Sequence, residues 1–281
     1  VNVLTPRDLA ECFAALALPG ARALAGGTDL LVRLRAAARL GREAPASLVR
    51  LDALPALRGV ELQADGALRL GACCTLAELL AHPLVRAELP ALAAALAELG
   101  SPPIRNMGTL GGNVCTASPA GDTLPPLTAL GAEVELVSAS GARRMALSAF
   151  ITGPGRTRLE AGELVSAVVV RPAREFGVQH FEKVGRRGAL AIAVVSLAAL
   201  LRLDARGRVA EARLAWGSVG PTVWRCPEAE AVLAGRKPTL TALREAAGIV
   251  RERVAPIDDI RASADYRREV AGNLLLRLAA L

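Results

Sequence analysis

Two glycine pairs, Gly26-Gly27 and Gly111-Gly112, constrain this chain more than any other feature. They stand in the turns Ala25-Gly26-Gly27-Thr28-Asp29 and Thr109-Leu110-Gly111-Gly112-Asn113, where runs of backbone N–H carry no side chain to block an approaching anion. The first pair follows a predicted strand over Arg22 to Ala25. It precedes a helix that Thr28 or Asp29 can cap and that carries Leu30, Leu31 and Leu34, so the helix dipole would favour negative charge at its start. The second pair follows a helix predicted over Glu88 to Leu99 and stopped by Ser101-Pro102-Pro103. The glycine density of Ile104 to Asn113 predicts an irregular loop there rather than a helix. Neither loop has the G-x-G-x-x-G or G-x-x-x-x-G-K-[ST] spacing, which counts against nicotinamide-type and nucleotide-hydrolysing folds. One glycine pair usually only turns a chain. Two of them, with hydroxyl and amide groups at Thr28, Thr109 and Asn113, point together to a bound diphosphate.

Around these loops, Thr5-Pro6-Arg7-Asp8 predicts the start of a helix with Leu9, Cys12, Phe13 and Leu16 at helical spacing. Ser47 to Leu51, Gly59 to Leu62 and Ala67 to Gly71 read as strands, and Thr75 to Glu78 as a capping box. Further strands are predicted over 133–138, 143–147 and 163–170. Pro172 to Gly177 is the candidate domain boundary. Beyond it, strands over 178–184, 191–203 and 209–217 and helices near 228–233, 240–254 and 266–278 predict a sheet backed by helices.

At 281 residues and 52% hydrophobic content the chain can bury a substantial core in two or three domains. The apolar run Ala189 to Leu201 is too short for a comfortable membrane span, and the N-terminus lacks a basic region followed by an apolar one, so a cytoplasmic protein is expected. The five cysteines show neither C-x-x-C nor zinc spacing. Adjacent Cys73 and Cys74 read as small apolar fillers on a strand, with a redox pair as the sharper alternative. A net charge of +7 raises nucleic acid as a partner, but the arginines are scattered and aromatics are only 2%, so no stacking platform or basic stripe is legible. Only Lys183 and Lys237 are lysines in so arginine-rich a chain. Lys183 is thus either a singled-out cation or an ordinary exposed strand lysine. Asp122, after Ser118-Pro119-Ala120-Gly121, reads either as an acceptor for a ribose or ring nitrogen or as a turn aspartate.

Four ordered segments, A-G-G-T-D-L-L at 25–31, I-R-N-M-G-T-L-G-G-N at 104–113, A-S-P-A-G-D at 117–122 and F-E-K-V-G-R-R at 181–187, resemble the FAD-binding medium subunit of the xanthine dehydrogenase and carbon monoxide dehydrogenase family. The resemblance runs essentially end to end and includes D-D-I-R-A-S-A-D-Y-R-R-E-V at 258–270. It implies an α+β fold: a vanillyl-alcohol-oxidase-type FAD-binding domain over 1–172, in subdomains of about 1–53 and 54–172, followed by a small carbon monoxide dehydrogenase flavoprotein-like α+β domain over 173–281. Carried over residue by residue, it implies that Ala25, Gly26, Gly27, Thr28, Asp29 and Leu30, with Thr109, Leu110, Gly111, Gly112 and Asn113, cradle the FAD pyrophosphate. Asp122 would bind the ribose or adenine side, Val165 would belong to the cofactor-binding set, and Lys183 would stand near the flavin ring, where a cation stabilises the reduced form.

The same resemblance implies partners: a large subunit with the molybdenum cofactor and a small one with two [2Fe–2S] clusters, assembled as a dimer of heterotrimers. Electrons would enter this chain's FAD from a cluster and leave to NAD⁺, oxygen or another acceptor. No catalytic residue and no metal ligand is implied here. The inserted cysteine-bearing loop of the 4-hydroxybenzoyl-CoA-reducing branch is missing, which counts against that branch. His82, before Pro83, and His180, on a strand, are not expected as flavin attachment points. Two other readings remain open: a free-standing FAD oxidoreductase of the same fold, and a flavin-free scaffold subunit. Against the first, no acid–base set converges in the sequence.

Overall fold

A computed structural model describes residues 1–280; Leu281, the last residue of the expected C-terminal domain, lies outside the described residues. The first fifty residues form a parallel sheet of three short strands, β1 (Asn2–Leu4), β2 (Ala21–Leu24) and β3 (Ser47–Arg50), in the order β1-β3-β2. Two helices connect them, α1 (Leu9–Leu16) and α2 (Leu30–Arg39). The N-cap of α1 is Asp8, not Thr5, because the Asp8 carboxylate accepts from the Glu11 amide at 2.8 Å. Strand β1 was not legible: three residues at a sheet edge, mostly exposed, carry no alternation to read.

The middle of the chain is built on an antiparallel sheet. Its strands are β4 (Val60–Leu62), β5 (Leu68–Gly71), β6 (Glu133–Ser138), β7 (Gly141–Ala146) and β10 (Leu164–Val170), in the order β4-β5-β10-β6-β7. A two-stranded ribbon, β8 (Ile151–Gly153) and β9 (Arg156–Thr157), precedes β10. Between β5 and β6 lie six short helices, α3 (Leu76–Ala81), α4 (Pro83–Glu88), α5 (Pro90–Glu98), α6 (Pro102–Met107), α7 (Leu110–Thr116) and α8 (Leu124–Ala129), with α9 (Leu147–Phe150) after β7. The capping box of α3 is present in full, Thr75 accepting from the Glu78 amide and Glu78 from the Thr75 amide.

Prolines punctuate this helical run, shifting one expected helix and opening another for which the sequence carried no expectation. The helix predicted from Glu88 starts at Pro90, since Leu89 before it is held out of the helical region at φ −130°. Leu124-Pro125-Pro126 opens α8, because proline is tolerated in a first turn where the amides lack partners anyway. A further departure concerns the second glycine loop, and the site geometry below explains it.

The C-terminal part is an antiparallel sheet of β11 (Val178–Gly185), β12 (Ala193–Leu203), β13 (Val209–Gly217) and β14 (Trp224–Arg225), followed by α10 (Pro227–Leu233), α11 (Leu240–Arg253) and α12 (Ala264–Leu276). On β12, Leu197, Ala199 and Leu201 join the core under α10 to α12, whereas Ala198 and Leu200 join the large core shared with α5 and α8. A strand buried on both faces reads as one continuous apolar run, which explains Ala193 to Leu201, whereas Ala189 to Ile192 lie in the largely exposed loop before it. Among the described residues no helix is long and apolar enough to cross a membrane. The expected α+β class holds, with helices and antiparallel sheets largely segregated along the chain.

Cys73 and Cys74 lie in the turn after β5, not on a strand, and both are buried, in two different apolar clusters. Burial pushes the Cys73 thiol up to about 12, and the Cys74 thiol also rises, chiefly by burial. Neither forms appreciable thiolate at neutral pH. Native protein treated with iodoacetamide at pH 8 is therefore expected to leave both unmodified, with alkylation appearing only on unfolding. Rapid labelling of either in the native state, read by peptide mass spectrometry, would restore the redox alternative.

Candidate functional site

The two glycine loops meet. A side-chain carbon on Gly26 would fall 1.7 Å from the Met107 carbonyl oxygen and 3.0 Å from Gly108 Cα, so the first loop packs directly on the backbone between α6 and α7. Thr28 Oγ1 lies beside Gly108, and Thr116 at the end of α7 donates to the Asp29 carboxylate at 3.1 Å. Gly27 takes φ +72°, a conformation glycine adopts without penalty, and turns the chain into α2.

The loops differ in what they offer. Among the described residues, the amides of Gly26, Gly27, Thr28, Asp29 and Leu30 donate to no protein acceptor, and these residues are only half-buried. Five consecutive unpaired donors at the start of a helix favour an anion. Asp29 contributes its amide to that run while its carboxylate is paired with Arg33 at 2.9 Å.

The second loop is not the irregular segment expected. It opens α7, with Thr109 as N-cap accepting from the Gly112 amide at 3.1 Å. Leu110 donates to the Cys74 carbonyl at 3.1 Å, Gly111 to the Ala72 carbonyl at 2.8 Å and Asn113 to the Thr109 carbonyl at 2.9 Å, so these amides are already spent. Gly111 is required for contact rather than for openness, since a Cβ there would lie 2.6 Å from the Ala72 Cβ. Glycine's poor helix propensity is outweighed by this packing, which the sequence does not display. What α7 still presents is the Asn113 side chain and the exposed backbone of Gly112.

From Asn113 the site continues towards the C-terminal sheet. Asn113 Oδ1 accepts from Thr123 Oγ1 at 2.6 Å, and its neighbour Asp122 is buried. Asp122 Oδ2 accepts from Lys183 Nζ at 2.7 Å, while Asp122 Oδ1 is buried with no partner. Burial pushes the Asp122 carboxyl up to about 6, against the opposing pull of Lys183. Lys183 is not the exposed strand lysine of the plainer reading, because its side chain is only 5% exposed. Its ammonium also donates to the Glu98 carbonyl at 2.6 Å and the Ala191 carbonyl at 3.2 Å. An ammonium has three N–H groups, and all three are engaged within the protein.

Ala25 to Leu30, Thr109 to Asn113, Asp122 and Lys183 thus follow one line of contacts from α2 to β11. Val165 stands apart, packed in the large core on β10, where a bulge before Ala167 lets Ser166 accept from the Ala72 amide. Sequence reasoning missed Thr116, Thr123 and the carbonyls of Glu98 and Ala191. A backbone carbonyl leaves no sequence signal, but Thr123 adjoins the aspartate already singled out. His82 and His180 lie off this line, His82 between α3 and α4 and His180 on β11 against Glu182. Among the described residues no cluster of His, Cys, Asp and Glu could hold a metal ion.

Comparison with known proteins gives a consistent result. Residues 1–172 match the family described as the FAD binding domain in molybdopterin dehydrogenase, and residues 179–280 match the CO dehydrogenase flavoprotein C-terminal domain. The chain is 36% identical to the xanthine dehydrogenase FAD-binding subunit of Escherichia coli O157:H7 over 89% of this chain and 84% of that one. It is 30% identical to the nicotinate dehydrogenase FAD-subunit of Eubacterium barkeri, over 91% of this chain and 86% of the relative. Among solved structures, quinoline 2-oxidoreductase from Pseudomonas putida 86 superposes with a TM-score of 0.92 at 31% identity, covering 99% of this chain and 95% of that one.

Proposed function

Since the chain belongs to the family of FAD-binding subunits of molybdenum-containing dehydrogenases, we propose that it holds one FAD along the line from Gly26 to Lys183 and relays electrons for a larger complex. The observation that carries this reading is the run of five unpaired amides from Gly26 to Leu30 at the junction of the two glycine loops. FAD, when bound, supplies hydride and one-electron chemistry that no side chain offers. Everything else falls to binding and orientation. The Gly26 to Leu30 amides fit a pyrophosphate, with Thr28, Asn113 and the Gly112 backbone bordering it. The orphaned Asp122 Oδ1 fits a hydroxyl or N–H donor of the dinucleotide, which would relieve a costly unsatisfied buried acceptor.

The reading extends to architecture and partners. The FAD-binding domain spans 1–172, in subdomains of about 1–53 and 54–172, and the second domain spans 173–281. The partners are a large molybdenum-cofactor subunit and a small subunit with two [2Fe–2S] clusters, in a dimer of heterotrimers. Electrons arrive from the clusters and leave to NAD⁺, oxygen or another acceptor. Relatives named as FAD subunits or medium chains of dehydrogenases support such an assembly. The complex works in the cytoplasm, a compartment in which five free cysteines remain reduced.

Purifying the chain alone and with its co-expressed neighbours tests this. A yellow chain that recruits molybdenum and iron only with its partners is expected. A colourless protein that cannot be reconstituted with FAD would leave the scaffold reading. A lone flavoprotein that oxidises an organic substrate without molybdenum would replace the subunit with a free-standing enzyme.

The Asp122 titration adds a pH dependence. Its carboxyl is raised above the ordinary value, so it becomes neutral as pH falls through about 6. If FAD binds the ionised form, the dissociation constant rises below that pH by up to about tenfold per unit, one proton being linked to binding. FAD titrations by flavin fluorescence between pH 5 and 8 should show the break, and Asp122→Asn should remove it.

A further inference from the structure

We propose that Lys183 is a positioning residue: its ammonium latches the loop of residues 186–191 against the end of α5 and the Asp122 turn, and so fixes one wall of the cavity that this loop borders. Its three bonds go to three segments far apart in sequence, Glu98, Asp122 and Ala191. The loop borders an open cavity of about 560 Å³ whose lining includes Glu98, Lys183, Arg186 and Arg187. Its other fastenings are weaker in kind. Arg186 donates to the Ile260 carbonyl at 3.0 Å, and Arg187 folds back onto the carbonyls of Ala189 and Leu190 within the loop itself.

The loop also carries strain. Leu190 holds φ +55°, a left-handed conformation unfavourable for a leucine, with its side chain half exposed. Such a conformation persists only where surrounding bonds impose it. The Lys183 bond to the next residue, Ala191, is the buried one among them. Lys183 has a second consequence for Asp122. The charged groups facing that carboxyl are Lys183 from β11 and, repelling it, Glu98 from α5. Without Lys183 a buried carboxylate next to another carboxylate takes up its proton more readily.

The inference rests on the FAD reading for only one of its two tests. The first uses the FAD-free chain and an arginine-specific protease, so that changing a lysine leaves the cleavage map intact. Lys183→Met is expected to speed cutting after Arg186 and Arg187 at least about tenfold, following the population of the opened loop. Lys237→Met, at the exposed second lysine, is expected to leave it unchanged. Asp122→Asn removes the ionic partner at nearly constant shape, should give a smaller acceleration and serves alone if Lys183→Met does not fold. Cleavage at the wild-type rate in the folded variants overturns the latch.

The second test is the pH profile of FAD retention, which a merely structural lysine would not move. In Lys183→Met the break is expected at higher pH than in the wild type, with faster FAD release above it. An unmoved break overturns the link to Asp122. A wild-type chain that never binds FAD defeats the cofactor reading, while the protease result still decides the latch.

Discussion

Gly26→Ala is expected to yield a soluble protein stripped of flavin colour. The added methyl would sit 1.7 Å from the Met107 carbonyl oxygen and 2.6 Å from its carbon, all backbone atoms that cannot rotate aside. The two loops must part, and parting them disperses the amides of Gly26 to Leu30 from Thr109, Gly112 and Asn113. Overpacking of this kind costs on the order of 1–3 kcal/mol in stability. The larger loss is in binding, because an anion cradle depends on several donors converging on one point. FAD content by visible absorbance, and affinity by flavin fluorescence, check it. Gly248→Ala is the control, since that glycine lies inside α11 with open space around its Cβ position and should gain about 0.5–1 kcal/mol. Flavin content at the wild-type level in Gly26→Ala would show that the glycine pair serves only to turn the chain.

Both glycine pairs were legible as special, and the first packs on the backbone just before the second while the amides of Gly26 to Leu30 stay unpaired. Their division of labour was not legible. Backbone amides are silent in sequence, so nothing distinguished the unpaired donors of Gly26 to Leu30 from those of Gly111 and Asn113, which are spent on Ala72 and Thr109. The strands and helices with clean period or caps, such as β6, β12 and α3, could be read directly. The helices α6, α7 and α8 could not, because proline and glycine in a first turn look like breakers unless the turn is known to be first. Lys183 stood out by scarcity. Its three carbonyl and carboxylate partners come from segments up to 85 positions away, and only the fold reveals that its charge is directed inward.

The D-D-I-R segment, noticed as a motif, received no physical role until its geometry was known, and that geometry predicts a large effect for Arg267→Met. The Arg267 guanidinium is buried, donating to Asp259 Oδ1 at 2.7 Å, to the Val194 carbonyl at 2.6 Å and to the Ser218 carbonyl at 3.3 Å. Burial alone would raise the Asp259 carboxyl, but the amides of Arg261 and Ala262 and the Arg267 guanidinium together hold it well below the usual range. A carboxyl depressed in the fold stabilises it above the ordinary aspartate value and loses that contribution as pH falls below it. Removing the cation leaves two carbonyls unpaired and takes one of two guanidinium partners from Asp259, which keeps Arg261 at 2.8 Å, so the cost at neutral pH is about 3 kcal/mol, the low end for a broken buried pair.

The damage should also reach the cleft. Val194 is the second residue of β12, which follows the latched loop, and the Ser218 amide, at φ +63°, donates to the Pro119 carbonyl that leads into Asp122. Arg267→Met is therefore expected to lower the melting temperature by on the order of 10 °C and to weaken FAD retention together with it. As pH falls below the ordinary aspartate range and the carboxyl begins to protonate, earlier in the variant than in the wild type, the stability gap between the two should narrow. A variant that melts with the wild type at pH 7 would show that the segment contributes neither to the stability of this domain nor to the shape of the cleft.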